Sequence, residues 1–368
     1  MEHPLKSPAR TMFGAGTLEE LNREIPPFLH RILLVVGNHV VTGGLLARVR
    51  EILDGRELVV CHDIQPEPPL PDVQRLIDAG RRNGVHAVVA IGGGSVIDSA
   101  KTAAALIPAS GGVEDYFNGS TVITAKGLFF AALPTTAGTG AEISPNAVLT
   151  DPATQIKKSL RHDTMMADVA IIDPDLLAGC SEAVAVYSGL DAFTQAVESY
   201  ISLGATEPTR RYALYAARLL YRNLPVFCAD RGNAEARSGT AEGSMLGAIA
   251  FTASGLGAAH GLGHPIGALL HLPHGLCCAI LLPKVLRWNQ PVCGELYAEL
   301  GKSCGVEDFV GAVEELCRKL GVPENFRSYG LNESHDDFIL KNCRSGSMKQ
   351  NPRPMSDDEV VAFLRTVS

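Results

Sequence analysis

Two stretches of the chain read as buried strands that run straight into helices, and they constrain its fold more than anything else. RILLVV at 31–36 and VHAVVAI at 85–91 are continuous apolar runs of strand length. The first is followed by Gly37-Asn38 and helical sequence through Leu53, the second by Gly92-Gly93-Gly94-Ser95 and helical sequence through Leu106. A strand that is apolar on both faces must be covered on both faces, which is the situation of a parallel sheet between helix layers. ELVVCH at 57–62, FFAALP at 129–134 and VAII at 169–172 continue the pattern, and TMFGAGTLEEL at 11–21 reads as a short strand, a glycine turn and a helix opening at Thr17. QPEPPLP at 65–71 is too rich in proline for either element and is expected to be a loop before a helix over 72–83. From Ser181 onward alanine and leucine recur at helical spacing and strand-like runs disappear. The sequence therefore predicts an α/β domain over residues 1–178 and an all-helical domain over 179–368.

Composition narrows the partners. The 368 residues are 46% hydrophobic and 20% charged, ordinary for a protein with large buried cores. A net charge of -8 argues against nucleic acid or an anionic membrane surface as the main partner. No apolar run approaches the length of a membrane span, and MEHPLKSPAR at the start lacks the apolar centre of a signal peptide. Nine cysteines, with no CxxC pair and with Cys277 and Cys278 adjacent, form neither a disulfide nor a zinc-ribbon pattern. A reduced, cytoplasmic enzyme is the expectation.

The first chemistry-bearing motif is GGGSVIDSAK, Gly92 to Lys101. A strand ending in Gly92, Gly93, Gly94 and Ser95 and entering a helix exposes backbone N–H groups at a positive helix end, a site for phosphate or pyrophosphate. It is not the GxGxxG fingerprint. Asp98 and Lys101 lie one turn apart and suit either a ligand role or a structural ion pair. In PTTAGTGAEIS, Thr135, Thr136 and Thr139 offer hydrogen bonds to a ribose or phosphate, although a loop of this kind is more often just a turn. Two such loops at the ends of parallel strands are where an open α/β sheet binds ligands. Lys157 and Lys158 follow, as phosphate partners or as a solvated surface pair.

The second concentration is FTASGLGAAHGLGHPIGALLHLPHG at 251–275, which places His260, His264, His271 and His274 among apolar residues and glycines. His260 and His264 share a helix face, and His274, between Pro273 and Gly275, reads as part of a turn. Imidazole is both the commonest metal ligand and a proton carrier near neutral pH. Upstream, GLDAFTQAVESYIS at 189–202 puts Asp191 and Gln195 on one helix face with Glu198 close to it. A carboxylate in so apolar a helix needs a cation or several donors. Asp191, His260 and His274 together would form a mixed oxygen and nitrogen site suited to Fe(II), Zn(II) or Mn(II).

GGGSVIDSAK, PTTAGTGAEIS, VAIIDP, GLDAFTQAVESY, HGLGHPIGALLHLPHG, ILLP at 280–283 and NPRP near the end occur in the order seen in the iron-containing (group III) alcohol dehydrogenases, of the dehydroquinate synthase-like superfamily. The chain resembles that family over nearly its whole length. The resemblance implies a Rossmann-like dinucleotide-binding N-terminal domain, an all-helical C-terminal domain, and an active site in the cleft between them. It also implies NAD(P)-dependent interconversion of an alcohol and an aldehyde, and a homodimer. The family binds one divalent metal through an aspartate, a histidine four residues later and two further histidines. Here the aspartate is Asp191 and the later histidines are His260 and His274, while His264 matches a histidine given a proton-relay role.

Two departures stand out. The second ligand position is Gln195, whose amide oxygen is a poorer donor than imidazole; it can ligate weakly, orient a water, or mark a site without metal. The cofactor position after the first long strand is Gly37-Asn38-His39, where NAD-preferring relatives carry an aspartate, so a 2′-phosphate is not repelled and NADPH, or use of both cofactors, is expected. The expected reaction is hydride transfer between NAD(P)H and a carbonyl polarised by the metal, most readily Fe(II), with His264 supplying the proton. The alternatives are a metal-free reductase of the maleylacetate reductase type, a dehydroquinate synthase-like lyase, and a nucleotide-binding descendant without activity.

Overall fold

The computed structural model describes residues 5–154 and 156–368. The chain forms two compact units, one of Ser7–Thr136 with Gly140–Cys180, the other of residues 5–6, Ala137–Thr139 and Ser181–Ser368.

The first unit is built on a six-stranded sheet in which every pairing is parallel. Its strands are β1 (Arg10–Phe13), β2 (Arg31–Val36), β3 (Glu57–Cys61), β4 (Ala87–Gly92), β5 (Phe129–Pro134) and, after a separate hairpin of β6 (Asn146–Asp151) and β7 (Ile156–Arg161), β8 (Val169–Ile172). The spatial order is β1-β8-β5-β4-β2-β3. Alternate residues of each central strand divide two cores. Ile32, Leu34, Val36, Val89 and Ile91 pack with Leu18, Leu21, Val40 and Val49 on one face. Leu33, Val35, Val88 and Ala90 pack with Leu76, Ile97, Ala100 and Ala103 on the other. The helices of this unit are α1 (Leu21–Glu24), α2 (Asn38–Thr42), α3 (Leu45–Ile52), α4 (Leu70–Asn83), α5 (Gly94–Leu106) and α6 (Val113–Asn118).

Three local features differ from the sequence reading. The single helix expected after β2 is two, because Gly44 takes φ 80 as the N-cap of α3. Helix α4 begins at Leu70, with Pro71 in its first turn, where proline's missing N–H costs nothing. The hairpin β6–β7 was not anticipated: β7 is largely exposed, and its IKKSLR sequence lacks the buried alternation that marks a strand.

The second unit is helical throughout its described residues from Ser181 onward. Helices α7 (Glu182–Ile201), α8 (Glu207–Ala229), α9 (Ala234–Ser254), α10 (Ala258–Leu270), α11 (His274–Cys304) and α12 (Phe309–Lys319) carry its core. Helix α11 is one 31-residue element containing Pro283 and Pro291. Interior proline removes a hydrogen bond and ordinarily kinks or ends a helix. Seventeen buried residues along α11 hold it together across both prolines. No single helix among the described residues is long and apolar enough to cross a membrane.

In the α/β unit, Lys101 on α5 fastens the segment that follows β5. Its fully buried ammonium donates to the carbonyls of Ala141, Ser144 and Asn146 at 2.6, 2.7 and 2.6 Å. Asp98, one turn earlier, accepts the Val148 N–H at 3.0 Å and stands 4.0 Å from the ammonium. Burial lowers the Lys101 pKa to about 8, yet three carbonyl acceptors favour the charged form. Lys101→Met would leave three buried carbonyls without a donor, so chemical unfolding is expected to show a loss of about 3 kcal/mol or more; a loss below about 1 kcal/mol would contradict this role.

Candidate metal and cofactor sites

The metal-type cluster lies wholly within the helical unit. Helix α7 begins with Ser181 capping the Val184 N–H, and buries Asp191, Gln195 and Glu198 along one side. Gln195 Nε2 donates to Asp191 Oδ2 at 3.1 Å, as their one-turn spacing allows. Its Oε1 is buried with no hydrogen-bond partner.

Glu198 has a second task. Helix α10 starts after the reversal at Gly255, where the chain turns by 100° from α9, and its N-cap residue Gly257 has no side chain to offer. The Glu198 carboxylate accepts the backbone N–H groups of Gly257 at 3.0 Å, Ala259 at 2.6 Å and His260 at 3.4 Å. An anion at the positive end of a helix, satisfying its orphan donors, is stabilising on both counts. A Cβ at Gly257 would come within 2.7 Å of Glu198 Oε1, so glycine is required for this approach. The Ala258 N–H goes to Asn351 Oδ1 at 3.2 Å. Asn351 is fixed in turn by paired amide bonds to Asn289 of α11, both 2.9 Å. The Asn351-Pro352-Arg353-Pro354 motif thus helps to build the start of α10. Arg353 is itself held, 3.7 Å from the ring of Trp288.

Glu198 Oε2 also lies 2.7 Å from His260 Nδ1. A carboxylate only accepts, so Nδ1 carries the proton and Nε2 presents its lone pair. That lone pair faces Asp191 Oδ1 at 3.2 Å, and both atoms are buried without a hydrogen-bond partner. His274, the first residue of α11 rather than part of a turn, brings Nε2 to 3.7 Å from the same oxygen. One turn further, Cys278 Sγ lies 3.5 Å from His274 Nε2. Ligand atoms of Asp191, His260, His274 and Cys278 all lie within 4.8 Å of one another. Burial opposes charge on His260, yet Cys278, Asp191 and Glu198 push its pKa well above the ordinary value, so the Nε2 lone pair is taken by a proton or by a cation in the proton's place. The site calls for positive charge. Lone pairs converging on one point, away from water, suit a divalent cation, so these donors fit a metal ion.

His264 stacks on His274, with ring centroids 4.5 Å apart and planes 11° apart. His271 stands apart from the other three histidines: it is exposed and ends α10 with φ 53. The sequence reading placed Glu198 near the Asp191 face and required a cation or several donors there without naming its partners, and it treated Cys278 only as half of an adjacent pair. The signal for Cys278 was its four-residue spacing from His274.

In the α/β unit, β2, β4 and β5 end side by side, with Val36 opposite Ile91 and Gly92 opposite Pro134. The chain leaves β2 toward β3 on one side and returns to β4 on the other, so the strand order switches between β2 and β4. Gly37 and Asn38 follow one of these strands, and Gly92, Gly93, Gly94 and Ser95 follow the other. Gly93 caps α5 without a side-chain bond, leaving the first N–H groups of the helix to an outside acceptor. A Cβ at Gly92 would lie 2.6 Å from the Val96 side chain. Thr135 binds the Gly92 carbonyl through its N–H at 3.0 Å, and Thr136 sits beside Gly93. Thr139 groups with the helical unit instead. Lys157 is paired with Glu67 at 2.7 Å, and the Glu67 N–H donates to Ser95 Oγ at 3.2 Å, so the proline-rich loop is pinned across the glycine turn. Lys158 lies over the Phe117 ring at 4.4 Å.

The protein-family model described as "Iron-containing alcohol dehydrogenase" matches residues 8–174, and the one described as "Fe-containing alcohol dehydrogenase family, C-terminal" matches residues 185–368. The chain is 32% identical to long-chain-alcohol dehydrogenase 1 of Geobacillus thermodenitrificans, over 97% of this chain and 94% of that protein. It is 27% identical to the NAD-dependent methanol dehydrogenase of Bacillus methanolicus, over 97% and 98%. Among solved structures, a 1,3-propanediol oxidoreductase is similar with a TM-score of 0.93 and 28% identity, each chain covered completely.

If Glu198 both caps α10 and orients His260, its two substitutions should separate those tasks. Glu198→Ala is expected to lower unfolding free energy by about 3 kcal/mol. Glu198→Gln should keep most of the fold but weaken metal binding roughly 10- to 100-fold. Equal metal affinity in Glu198→Gln and the parent chain, measured by competition with a chelator, would contradict the orienting role.

Proposed function

Because the chain belongs to the iron-containing alcohol dehydrogenase family and is an oxidoreductase acting on CH–OH groups, we propose that it interconverts small alcohols and aldehydes with a divalent ion held by Asp191, His260 and His274. The observation that carries this reading is the convergence of those three buried side chains with acceptor atoms facing one another. When bound, the ion supplies a Lewis acid and the nicotinamide supplies or takes the hydride. The rest of the work belongs to the chain. Glu198 fixes the tautomer and orientation of His260, and Gln195 holds the second oxygen of Asp191. His264, stacked on His274, is the group placed to move a proton. The family name points to Fe(II), and Zn(II) and Mn(II) also suit these donors.

The dinucleotide is assigned to the α/β unit, at Gly37-Asn38, Gly92–Ser95 and Thr135-Thr136, where adjacent parallel strands end. NAD(H) use follows the relatives. A preference for NADPH is supported by Gly37, which directly follows β2 and brings no carboxylate of its own to oppose a 2′-phosphate. None of the nine cysteines forms a disulfide among the described residues, which supports a reducing compartment such as the cytoplasm.

Two measurements test this reading. Protein purified without chelator should carry about one equivalent of Fe, Zn or Mn, as expected of one closed cluster, lose it in Asp191→Ala together with NAD(P)-linked oxidation of primary alcohols, and bind it more tightly in Gln195→His. Activity that survives complete metal removal would overturn the metal assignment. For the cofactor, Gly37→Asp should move the NAD-to-NADP ratio of kcat/KM toward NAD by at least about tenfold, since a like charge beside a phosphate is costly. Gly37 has an ordinary φ of -72, and the added Cβ crowds the His39 ring at 2.9 Å, a side chain able to shift, while its 3.8 Å approach to the Gly92 Cα is ordinary contact. An unchanged ratio would contradict the NADP preference.

A further inference from the structure

We propose that Cys278 is the fourth protein ligand of the metal, taking as a thiolate the place in the coordination sphere that the neutral Gln195 leaves poorly filled. The inference rests on the reading that Asp191, His260 and His274 hold a divalent ion. Its basis is geometry. For a tetrahedral ion with bonds of about 2.0–2.1 Å to oxygen or nitrogen and about 2.3 Å to sulfur, neighbouring ligand atoms stand about 3.3–3.6 Å apart. The structure gives 3.2 Å from His260 Nε2 to Asp191 Oδ1, 3.7 Å from His274 Nε2 to Asp191 Oδ1, and 3.5 Å from Cys278 Sγ to His274 Nε2. These three distances are close to edges of such a tetrahedron, and the remaining pairs of ligand atoms lie within 4.8 Å.

Three helices supply the four donors, α7, α10 and α11, and a four-residue spacing recurs on α7 and α11. On α7 the pair is Asp191 and Gln195, where Gln195 spends its amide nitrogen on Asp191. On α11 the pair is His274 and Cys278. Cys278 is fully buried, its sulfur within 4.8 Å of the orphaned Asp191 Oδ1 and His260 Nε2, and Gly263 of α10 beside it allows the helices to approach. A Cβ at Gly263 would stand 3.3 Å from Cys278 Sγ. The adjacent Cys277 is directed elsewhere, its sulfur lying 3.3 Å from a Cβ built at Gly267.

The chemical consequence is a centre with two anionic ligands, Asp191 and Cys278, in place of one. Two negative ligands neutralise a divalent ion in a buried site where an unbalanced charge is costly. They also make it a softer centre and move its preference from Fe(II) or Mn(II) toward Zn(II).

The test uses Co(II) as a probe on the full-length chain after chelator treatment. A thiolate on Co(II) gives an intense near-ultraviolet charge-transfer absorption that oxygen and nitrogen ligands do not. One equivalent of Co(II) should produce that absorption in the parent chain and in Cys277→Ser, and lose it in Cys278→Ser and Cys278→Ala while Co(II) remains bound. The serine variant should bind Zn(II) at least about tenfold more weakly, the lower end of what disturbing even an outer partner of a ligand costs. If Cys278→Ser fails to fold, the parent and Cys277→Ser spectra still decide. A parent chain that binds one Co(II) without the charge-transfer absorption would overturn Cys278 as a ligand and leave the three-residue site standing. A parent chain that binds no Co(II) would overturn both.

Discussion

The helical unit depends on one buried carboxylate. Glu198 sits in α7 with no exposure, and among the described residues no lysine or arginine neutralises it. Its charge is met by the start of α10 and by the His260 imidazole. Four donors from a neighbouring helix make a carboxylate tolerable where an unpaired one would cost several kcal/mol. The same bonds fix the end of α10, the rotamer of His260 and the nitrogen that is left with a lone pair. Asp191, two turns earlier on α7, then faces that lone pair. The spacing of one helix thus decides where two elements of the candidate site meet.

The end of the chain takes part in this arrangement. Asn351 closes the remaining N–H at the start of α10 and is locked against Asn289 on α11, the helix that carries His274 and Cys278. The three helices that bear candidate ligands are therefore tied to one another by buried polar bonds as well as by apolar packing. Such networks reward complete satisfaction and penalise any gap. Among the buried side-chain atoms without a hydrogen-bond partner, Asp191 Oδ1, Gln195 Oε1 and His260 Nε2 gather at the cluster itself. That contrast between satisfied surroundings and unsatisfied centre is what marks a ligand site.

Much of this was legible in the sequence, and the reasons differ by residue. Continuous apolar runs announced the parallel sheet, because burial on both faces leaves that imprint. Asp191 and Gln195 were placed on one face by the helical period alone, and they do bond to each other. Lys101 and Asp98 could be read equally as ligand or structural pair; their partners are backbone groups some 40–50 residues on in the chain, and no local pattern carries that information. The β6–β7 hairpin was hidden because its outer strand is polar and exposed. Helix α11 was hidden by its prolines, whose local cost is outweighed by burial along its length. Cys278 was overlooked because cysteines invite a search for disulfide spacing, whereas its meaning lies in the helical spacing from His274.

The central claim is that Asp191, His260 and His274 converge on a divalent ion. Anomalous diffraction from crystals of metal-loaded protein, collected at the absorption edge of the bound element, tests it most directly. One peak is expected about 2.0–2.3 Å from Asp191 Oδ1, His260 Nε2 and His274 Nε2. Crystals of protein shown to contain the metal, with the peak on other residues, would contradict it.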